Sequence, residues 1–379
     1  MMQGMSTTLL HGSYDSNQEH GAVIPPLYLS TTYTFGNDGG YEYSRSGNPT
    51  RHILEDTLAR LDGGQYGLTY ASGSAALVNV TSLLQKDEGI LFSADAYGCT
   101  YRFVTRVMAK QGLKYYVADL TDPQATAQLL KSQHIKVVWI ETPTNPLLKV
   151  TDIAALAKLA HEAGALLVVD NTFATPILQR PLEHGADIVA YSTTKYINGH
   201  SDSVGGSLIV KDKALYERLA FLQNAIGAML SPFDAWLTLR GVRTLELRMQ
   251  RHVQNAIAIA DFLAAHAKVA RVYYPGHFSG DQGSIVKKQM DAPGAMISIE
   301  LTPEADPQKF LQALRLFPLA ESLGGVESLI DHPATMTHAA IPPAERKKIG
   351  LSDGLFRISV GIENQDDLLA DLRHALKLS

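Results

Sequence analysis

The sequence contains a single cysteine, Cys99, among 379 residues. One cysteine cannot form a disulfide within the chain, so we expect a protein of the reducing cytoplasm. Acidic side chains outnumber basic ones, 38 to 33 without histidine, for a formal net charge of -5. Such a chain offers no basic field for nucleic acid or for an anionic membrane surface, and we expect neither as a partner.

The sequence also lacks the segments that mark several other classes of protein. No apolar run approaches the ~18 residues needed to cross a membrane, and residues 1–8 lack the charged and apolar regions of a secretory signal. The 13 histidines show no spacing typical of zinc ligands, so we expect no metal site. No Walker loop, dinucleotide glycine fingerprint or Gly-x-Ser-x-Gly elbow is present, which argues against the corresponding nucleotide-binding and hydrolase classes.

A lysine stands behind two hydroxyl side chains at the predicted end of a buried strand. The stretch Ala190-Tyr-Ser-Thr-Thr-Lys-Tyr-Ile-Asn-Gly-His200 places Lys195 after Ser192 and Thr194. A lysine amine forms Schiff bases with carbonyl compounds, and a partly dry site lowers its pKa toward a useful value. Lys195 is therefore a candidate covalent catalyst, with the two hydroxyl groups available to a phosphate. The alternative is a solvated lysine after a strand, because most lysines are exposed.

An aspartate follows a second predicted strand. In Gly164-Ala-Leu-Leu-Val-Val-Asp170 a continuous apolar run indicates a strand buried on both faces, with Asp170 at its carboxyl end. Ligands of open α/β sheets collect at that end of the strands. A Schiff-base lysine, together with an acid that keeps a ring nitrogen protonated, is what pyridoxal 5'-phosphate (PLP) requires. Taken alone, Asp170 is equally well explained as the cap of a turn.

Two further segments offer groups for the phosphate of such a cofactor. Tyr70-Ala-Ser-Gly-Ser-Ala-Ala-Leu-Val78 changes from small residues to an apolar helical pattern, so Ser72 or Gly73 is predicted to open a helix whose free amides face an anion. Upstream, the loop-like segment 40–50 carries Arg45, whose guanidinium can bind a phosphate through paired hydrogen bonds. Both have ordinary alternatives, since small residues open many helices and loop arginines are usually solvated.

Five segments, in this order along the chain, resemble the Cys/Met-metabolism PLP enzymes. They are Tyr43-Ser-Arg-Ser-Gly-Asn-Pro-Thr50, Glu141-Thr-Pro-Thr-Asn-Pro146, Val169-Asp-Asn-Thr-Phe173, Ser192-Thr-Thr-Lys-Tyr-Ile-Asn-Gly-His-Ser-Asp202 and Glu321-Ser-Leu-Gly-Gly-Val-Glu-Ser-Leu329. The family includes cystathionine γ-lyase, cystathionine γ-synthase, cystathionine β-lyase and methionine γ-lyase. The ordered set is specific, although no single motif in it is. The resemblance implies the PLP-dependent transferase fold (fold type I) and a homotetramer built as a dimer of dimers.

The resemblance also implies how the cofactor is held. Lys195 would bind PLP through a Schiff base, Asp170 would pair with the pyridine nitrogen, and Tyr97 would stack on the ring and assist proton transfer. The expected phosphate ligands are the amides of Gly73 and Ser74, the hydroxyl groups of Ser192 and Thr194, and Tyr43 and Arg45 of a neighbouring subunit. The site would then be complete only in an oligomer.

An amino-acid substrate is the expected partner of this cofactor. Asn145, Ser322 and Arg357 match positions that hold the substrate in the family, and Arg357 would bind its carboxylate through two hydrogen bonds. Glu321 would suit the distal ammonium of cystathionine, and Glu42, beside the cofactor-binding loop, is expected to contact the substrate as well.

The resemblance favours cystathionine γ-lyase activity, which yields cysteine, 2-oxobutanoate and ammonia. The first alternative is a γ-synthase, which joins a homoserine ester to cysteine, followed by a β-lyase. A methionine γ-lyase is favoured by Cys99 alone, because many cystathionine enzymes have glycine there. Ser74 also departs from the family, in which a larger apolar residue is common, but its backbone amide is kept. A catalytically inactive scaffold is the alternative of another class, and the intact set of Lys195, Asp170, Tyr97 and Arg357 argues against it.

Length and patterning predict an α/β protein with two domains and an arm. Residues 1–45, rich in turn formers and tyrosines, are predicted to form an extended arm over a neighbouring subunit. Residues 46–235 alternate short apolar strands with helices, which indicates a large PLP-binding domain around a mostly parallel sheet. Residues 236–379 are predicted to form a smaller α+β domain. One long helix from near Ser231 to Ala260 is expected to connect the two.

Overall fold

The structure is a computed structural model that describes residues 4–12, 14, 19–336, 346 and 350–379. Its larger sheet contains seven strands, in the order β1-β7-β6-β5-β4-β2-β3 across the sheet. The strands are β1 (Tyr66–Tyr70), β2 (Gly89–Ser93), β3 (Lys114–Ala118), β4 (Ile135–Glu141), β5 (Leu166–Asp170), β6 (Ile188–Tyr191) and β7 (Gly206–Val210). The neighbours from β6 to β3 pair in parallel, whereas β7 is antiparallel to both β6 and β1. The predicted α/β fold around a mostly parallel sheet is confirmed.

Helices cover both faces of this sheet. Those of the N-terminal part are α1 (Met5–His11), α2 (Pro49–Leu61), α3 (Gly73–Thr81), α4 (Gly98–Arg106), α5 (Pro123–Ser132), α6 (Ile153–Glu162), α7 (Thr175–Leu178), α8 (Lys213–Ile226) and α9 (Pro232–Val242). Short 3-10 turns lie at Glu19–Gly21, Met108–Gln111, Pro181–His184 and Pro275–His277. Several of these helices begin at a side-chain cap, such as Asn48 on α2 and Asp152 on α6, which accounts for where they start.

Burial on both faces follows from the alternation of side chains along the strands. On β4, Val137 and Trp139 pack with α3, α4 and α8, while Val138 and Ile140 pack with α5 and α6 on the opposite face. A strand of this kind has no solvent face, and its continuous apolar sequence reflects that. The two central strands β4 and β5 therefore present acidic side chains where they end, at Glu141 and Asp170.

A second sheet of four antiparallel strands follows in the C-terminal part, in the order β10-β11-β9-β8. Its strands are β8 (Val269–Tyr273), β9 (Met296–Leu301), β10 (Leu329–Asp331) and β11 (Leu355–Ser359), and the accompanying helices are α10 (Leu245–Ala264), α11 (Gly280–Gln289), α12 (Pro307–Ala313) and α13 (Gln365–Leu378). One apolar core runs from β6 and β7 through α9 and α10 into this sheet. The two sheets are thus packed into one body.

The predicted domain boundaries at residues 45 and 235 stay predictions. The first sheet lies wholly within residues 46–235 and the second within residues 236–379, but residue 235 falls inside α9. Parts of the predicted arm and of the smaller domain, at residues 1–3, 13, 15–18, 337–345 and 347–349, lie outside the described residues. Within the part of the chain that the structure describes, no helix is both long and apolar enough to cross a membrane.

The prediction of one long helix from Ser231 to Ala260 is wrong, because α9 ends at Val242 and α10 begins at Leu245. The carbonyl oxygen of Gly241 would accept the amide of residue 245 in a continuous helix. It instead accepts the amide of Thr244 at 3.2 Å and the side chain of Arg248 at 2.8 Å. Arg248 also donates to the carbonyl oxygen of Tyr196 at 2.6 Å. At the break between the two helices, Arg248 therefore connects the end of α9 to the turn that follows Lys195.

Helix α9 also packs closely on this turn through Gly241. A Cβ added to Gly241 would lie 2.1 Å from the backbone oxygen of Asn198. Only glycine permits this approach, because a backbone atom cannot move aside as the end of a flexible side chain can.

We predict that Gly241→Ala lowers the Tm of the protein. Alanine normally stabilises a helix by about 1 kcal/mol relative to glycine. Forcing a methyl group into a packed interior costs about 1–3 kcal/mol, and the contact with Asn198 leaves it no space. Calorimetry of the variant measures the difference. Gly354→Ala is the matched control, since its Cβ meets no atom within 4 Å. An equal Tm for Gly241→Ala and the wild type would contradict the close packing of α9 on this turn.

Candidate active site

Most of the predicted site residues line one cleft of about 320 Å³ at the carboxyl ends of the parallel strands. Those that line it are Gly73, Ser74, Tyr97, Asn145, Asp170, Ser192, Thr194, Lys195, Glu321, Ser322 and Arg357. They come from strand ends and loops far apart in sequence. The wall opposite the large sheet is supplied by the segment before β10 and by β11. The cleft therefore lies between the two sheets.

Lys195 lies in the turn after β6, and its amine is held by a residue from the other side of the cleft. The Nζ atom donates a hydrogen bond to Ser322 Oγ at 2.7 Å. Burial, together with the nearby Arg357, lowers the pKa of Lys195 to about 8, although Glu321 acts in the opposite direction. An ordinary lysine has a pKa of about 10.4. Near pH 8 this amine is therefore neutral, and nucleophilic, in a much larger fraction of molecules.

Asp170 ends β5 and lies partly buried in the cleft. Its Oδ1 atom accepts hydrogen bonds from the amide of Thr172 at 3.1 Å and from the hydroxyl of Thr172 at 2.5 Å. Burial raises the pKa of Asp170 to about 6, against the effect of these two bonds. Among the described residues, both of these hydrogen bonds come from Thr172, and neither donor is a cation. A cation placed against Asp170 would therefore stabilise its charged form.

One end of the cleft is formed by the N-terminus of α3 and the residues that follow β6. Ser72 caps α3 by accepting the amide of Ala75 at 3.1 Å, and the next two residues, Gly73 and Ser74, have first-turn amides that no helical carbonyl can accept. A Cβ on Gly73 would lie 3.0 Å from Ser192 Cβ, so glycine lets the helix approach Ser192. Amides of this kind bind anions.

Thr194, at the same end, already has a backbone partner. Its Oγ1 atom donates to the carbonyl oxygen of Gly205 at 3.1 Å and accepts the Gly205 amide at 2.9 Å. To donate to a phosphate, this hydroxyl must exchange the carbonyl of Gly205 for a phosphate oxygen. Ser192 is oriented by its amide, which donates to Thr172 Oγ1 at 2.9 Å. Thr172 therefore connects Asp170 to the phosphate end of the cleft.

At the opposite end, Arg357 on β11 is buried and held by several acceptors. It donates to Asn145 Oδ1 at 2.8 Å and to the carbonyl oxygen of Ser322 at 3.1 Å, and it forms an ion pair with Asp331. Its Nε atom has no hydrogen-bond partner among the described residues. Burial raises the pKa of Asp331 to about 6, while Arg357 acts to lower it. A buried arginine with an unused donor suits a small carboxylate ligand.

Tyr97 and Cys99 stand on the side wall, at the start of α4. The side chain of Tyr97 is 41% exposed. Burial of its hydroxyl and the neighbouring Cys99 and Glu321 raise the pKa of Tyr97, so the hydroxyl keeps its proton at neutral pH. Cys99 Sγ lies 3.1 Å from Ser74 Oγ, which places the two residues that depart from the family pattern against each other. Glu321 is exposed and precedes Ser322, whose φ of 87° is in the left-handed region.

The structure does not bring Glu42, Tyr43 and Arg45 into the cleft. All three are exposed, and the guanidinium of Arg45 lies over the ring of Tyr43 at 5.4 Å from its centroid. Their loop is nevertheless well anchored, because the buried Arg51 donates to the carbonyl oxygens of Ser44 at 2.6 Å and Arg45 at 3.2 Å.

Sequence reasoning did not assign a role to three side chains of the site: Glu141, Thr172 and Asp331. Glu141 and Thr172 lie inside quoted motifs, each at or just after the end of a buried strand, and this position is the signal that could have identified them. Asp331 gave no local signal, since its partner is 26 residues away on another strand. In the described part of the chain, no group of three or more histidine, cysteine or acidic side chains could hold a metal ion.

The groups present fit PLP in their chemistry. An amine with a lowered pKa suits an aldehyde, a carboxylate that lacks a cation suits a protonated ring nitrogen, and a helix N-terminus beside a serine suits a phosphate. Lys195, Asp170 and Ser192 supply these three requirements in one cleft. The unused donor of Arg357 leaves a separate place for a substrate carboxylate.

Comparison with known proteins agrees with this chemistry. The family model for the Cys/Met metabolism PLP-dependent enzyme matches residues 6–377. The chain is 49% identical over 378 residues to a cystathionine beta-lyase of Coxiella burnetii, covering 98% of this chain and 97% of that protein. It is 49% identical over 380 residues to a cystathionine gamma-lyase of Dictyostelium discoideum, with the same two coverages, 98% and 97%. The crystal structure of a cystathionine gamma synthase from Xanthomonas oryzae pv. oryzae in complex with cystathionine superposes with a TM-score of 0.96 at 46% identity, covering 100% of this chain and 98% of that one.

We predict that Lys195 in the PLP-free protein reacts with aldehydes at lower pH than the other lysines. Only the neutral amine reacts, so its rate should reach half its maximum near pH 8, the pKa to which burial and Arg357 lower it. Reductive methylation at a series of pH values, followed by peptide mass spectrometry, measures this rate. The remaining lysines in the same sample are the internal control. Half-maximal labelling of Lys195 near pH 10 would contradict the lowered pKa.

Proposed function

The chain belongs to the Cys/Met-metabolism PLP-dependent enzymes, and from this we propose that it cleaves cystathionine at the γ-carbon. Its cofactor is PLP, and its activity is that of a carbon-sulfur lyase or a γ-replacement enzyme of cysteine and methionine metabolism. The predicted fold type I architecture is confirmed by the structural match. The proposed products are cysteine, 2-oxobutanoate and ammonia.

The observation that carries the choice of substrate is the position of Glu321. This exposed carboxylate lies in the cleft, adjoins Ser322 and acts on the charge of Lys195. A negative group at this place suits the distal ammonium of cystathionine, which methionine lacks. Cys99, in the same cleft, is the one feature that favours methionine as the alternative substrate.

We propose that the residues of the cleft hold PLP as the sequence predicts. Lys195 forms the covalent link, Asp170 pairs with the ring nitrogen, and Tyr97 lies against the ring. The phosphate is bound by the amides of Gly73 and Ser74 and the hydroxyl groups of Ser192 and Thr194. When bound, PLP supplies an electron-withdrawing ring that makes the α-proton of an amino acid acidic.

The substrate is oriented by its carboxylate on Arg357 and Asn145. Because Asp331 and Asn145 already fix the guanidinium, little conformational freedom is lost when the substrate binds. When the amine of the substrate takes its place on the cofactor, the Nζ atom of Lys195 would be free to accept the α-proton, a role that its lowered pKa favours near neutral pH. Ser322 Oγ keeps this amine at the substrate.

Cleavage at the γ-carbon needs a second proton to leave the substrate, from its β-carbon. The same Nζ atom would serve both positions in our proposal. It would first pass the α-proton to the carbon that joins cofactor and substrate, and the amine, neutral again, would then accept the proton of the adjacent β-carbon. The departing sulfur needs a proton in turn. Tyr97 Oη is protonated at neutral pH and lines the cleft, so it is the group we assign to this transfer.

The assembly we propose is a homotetramer, a dimer of dimers in which Tyr43 and Arg45 bind the phosphate of a neighbouring subunit. Two observations support it. The loop that carries these residues is anchored by Arg51 yet exposes them away from the cleft of their own chain. The segment before it exposes large apolar side chains, including Val23 at 75%, Leu29 at 66% and Phe35 at 92%. Contiguous exposure of this kind marks an interface.

We predict that the enzyme converts cystathionine to 2-oxobutanoate rather than pyruvate. The position of the cleaved bond determines the keto acid, so chromatography of the products distinguishes γ from β cleavage. Lys195→Ala is the control, and removing the proton-transferring amine should lower kcat about a hundredfold or more and abolish the cofactor absorption. Pyruvate as the main product would instead identify a β-lyase. A higher kcat/KM for cystathionine synthesis from O-succinylhomoserine and cysteine would identify a γ-synthase.

We predict that two inactive variants restore activity when they are combined. If Arg45 acts in a neighbouring subunit, a dimer of one Lys195→Ala and one Arg45→Ala chain contains one complete site, with Lys195 from one chain and Arg45 from the other. Co-expression with two affinity tags isolates this hybrid, and its turnover is compared with that of each parent. Sedimentation of the wild type should show a tetramer. A hybrid no more active than its parents would contradict a shared site.

A further inference from the structure

Glu141 is a buried acid that the proposed reaction does not use. It is the last residue of β4, is 6% exposed and lines the cleft. Both of its carboxylate oxygens accept the backbone amide of Tyr97, at 2.9 Å for Oε1 and 3.0 Å for Oε2. The hydroxyl of Thr100 donates to Oε1 at 3.4 Å. Each of these donors belongs to the start of α4.

These bonds give the start of α4 an acceptor that the N-cap side chain does not supply. Tyr97 is the N-cap residue of this nine-residue helix, and its own side chain makes no capping hydrogen bond. The first amides of a helix have no partner within it, and a negative charge is favourable at that end. Glu141 provides an acceptor, although it lies 44 residues away on the central sheet. The start of α4 is thereby attached to β4.

The anchor matters because the side chain of Tyr97 is not packed in the core. Its side chain remains 41% exposed, so packing restricts the ring less than it would in the core. The position of the ring then depends on the position of its backbone. The hydrogen bond from the amide of Tyr97 to Glu141 ties this backbone to the end of β4.

Glu141 also lies directly beside Asp170 in the sheet. The two residues are Cα partners in the parallel pairing of β4 and β5. Burial and the neighbouring Asp170 raise the pKa of Glu141, whereas the amide of Tyr97 and the hydroxyl of Thr100 favour its charged form. Burying a carboxyl group beside another acid costs folding free energy unless it is hydrogen-bonded. The bonds from Tyr97 and Thr100 offset part of this cost for Glu141.

We infer that Glu141 is a positioning residue, which holds Tyr97 against the cofactor ring by tying its backbone amide to the end of β4. The inference rests on the role proposed above for Tyr97. Glu141 and Asp170 lie at the ends of adjacent strands. Asp170, which would face the ring nitrogen, and Tyr97, which would cover the ring, are therefore both attached to the same edge of the sheet.

Glu141→Gln tests this role, because glutamine keeps the shape but offers one acceptor oxygen and no charge. Loss of one of the two acceptor oxygens should speed PLP release from the loaded enzyme about tenfold and lower kcat by a similar factor, with a smaller change in KM. The rate of PLP release is measured as the decrease in cofactor absorption after the enzyme is transferred rapidly into a buffer that traps free PLP. Glu141→Asp keeps the carboxyl group but moves it back by one methylene group, and it should also speed release. This variant replaces Glu141→Gln in the test if the glutamine variant does not fold.

Asp371→Asn is the matched control. This buried carboxylate on α13 also accepts backbone amides from a separate segment, that of Arg315 at 3.0 Å and that of Leu316 at 2.8 Å, but it does not line the cleft. We expect it to lower the Tm while leaving PLP release and kcat unchanged. A variant of Glu141 that behaved in the same way would overturn the inference, since Glu141 would then be a structural residue only.

A double-mutant cycle distinguishes action through Tyr97 from a direct effect on Asp170. If Glu141 acts through the ring of Tyr97, then Glu141→Gln should not speed PLP release further once Tyr97→Ala has removed that ring. An undiminished effect in the Tyr97→Ala background would overturn the inference. A wild-type protein that binds no PLP would refute the proposed function itself, whereas PLP binding that is insensitive to Glu141 would refute the inference alone.

Discussion

Two hydrogen bonds join the halves of the cleft, and the chemistry of the site depends on them. Lys195 Nζ reaches from the turn after β6 to Ser322 Oγ, and Arg357 reaches from β11 to Asn145 Oδ1 in the segment that follows β4. Each bond connects the large parallel sheet to the smaller antiparallel one. The residues that would hold a cofactor and those that would hold a substrate carboxylate therefore meet only when the two sheets are packed together through their common apolar core.

The pKa values of the ionisable side chains in the cleft are shifted mainly by burial, and not only by neighbouring charges. Loss of water lowers the pKa of Lys195 to about 8 and raises those of Asp170 and Asp331 to about 6. All three values approach neutrality, where a group can change its protonation state without a large free-energy cost. Burial thus accounts both for the lowered pKa that lets Lys195 transfer protons and for the raised pKa of Asp170, whose charged form a cation would stabilise. The carboxyl edge of a buried parallel sheet is where a chain can desolvate such groups and still place them beside a ligand.

The comparisons establish the family but include relatives named for different reactions. A cystathionine beta-lyase and a cystathionine gamma-lyase are each 49% identical to this chain, and a gamma synthase has nearly the same structure. One fold thus serves several reactions, and the choice among them must lie in a few side chains of the cleft. Glu321, Cys99 and Ser74 are among the residues that line this cleft. None of them contributes to the framework that holds Lys195 and Asp170.

The sequence by itself determined the alternation of strands and helices and the family motifs, because the period of apolar residues and the residues at strand ends are local properties. The predicted strand that ends at Asp170 appears as Leu166–Asp170, and the helix predicted to open at Ser72 or Gly73 begins at Gly73. The break between α9 and α10 was not predictable, since it depends on Arg248 bonding to a turn more than 40 residues earlier in the chain. The pairing of Arg357 with Asp331 and the attachment of Tyr97 to Glu141 were likewise decided by the tertiary structure. Each is a hydrogen bond or ion pair between separate elements, and its partner is selected by packing in space, which leaves no periodic trace in the sequence.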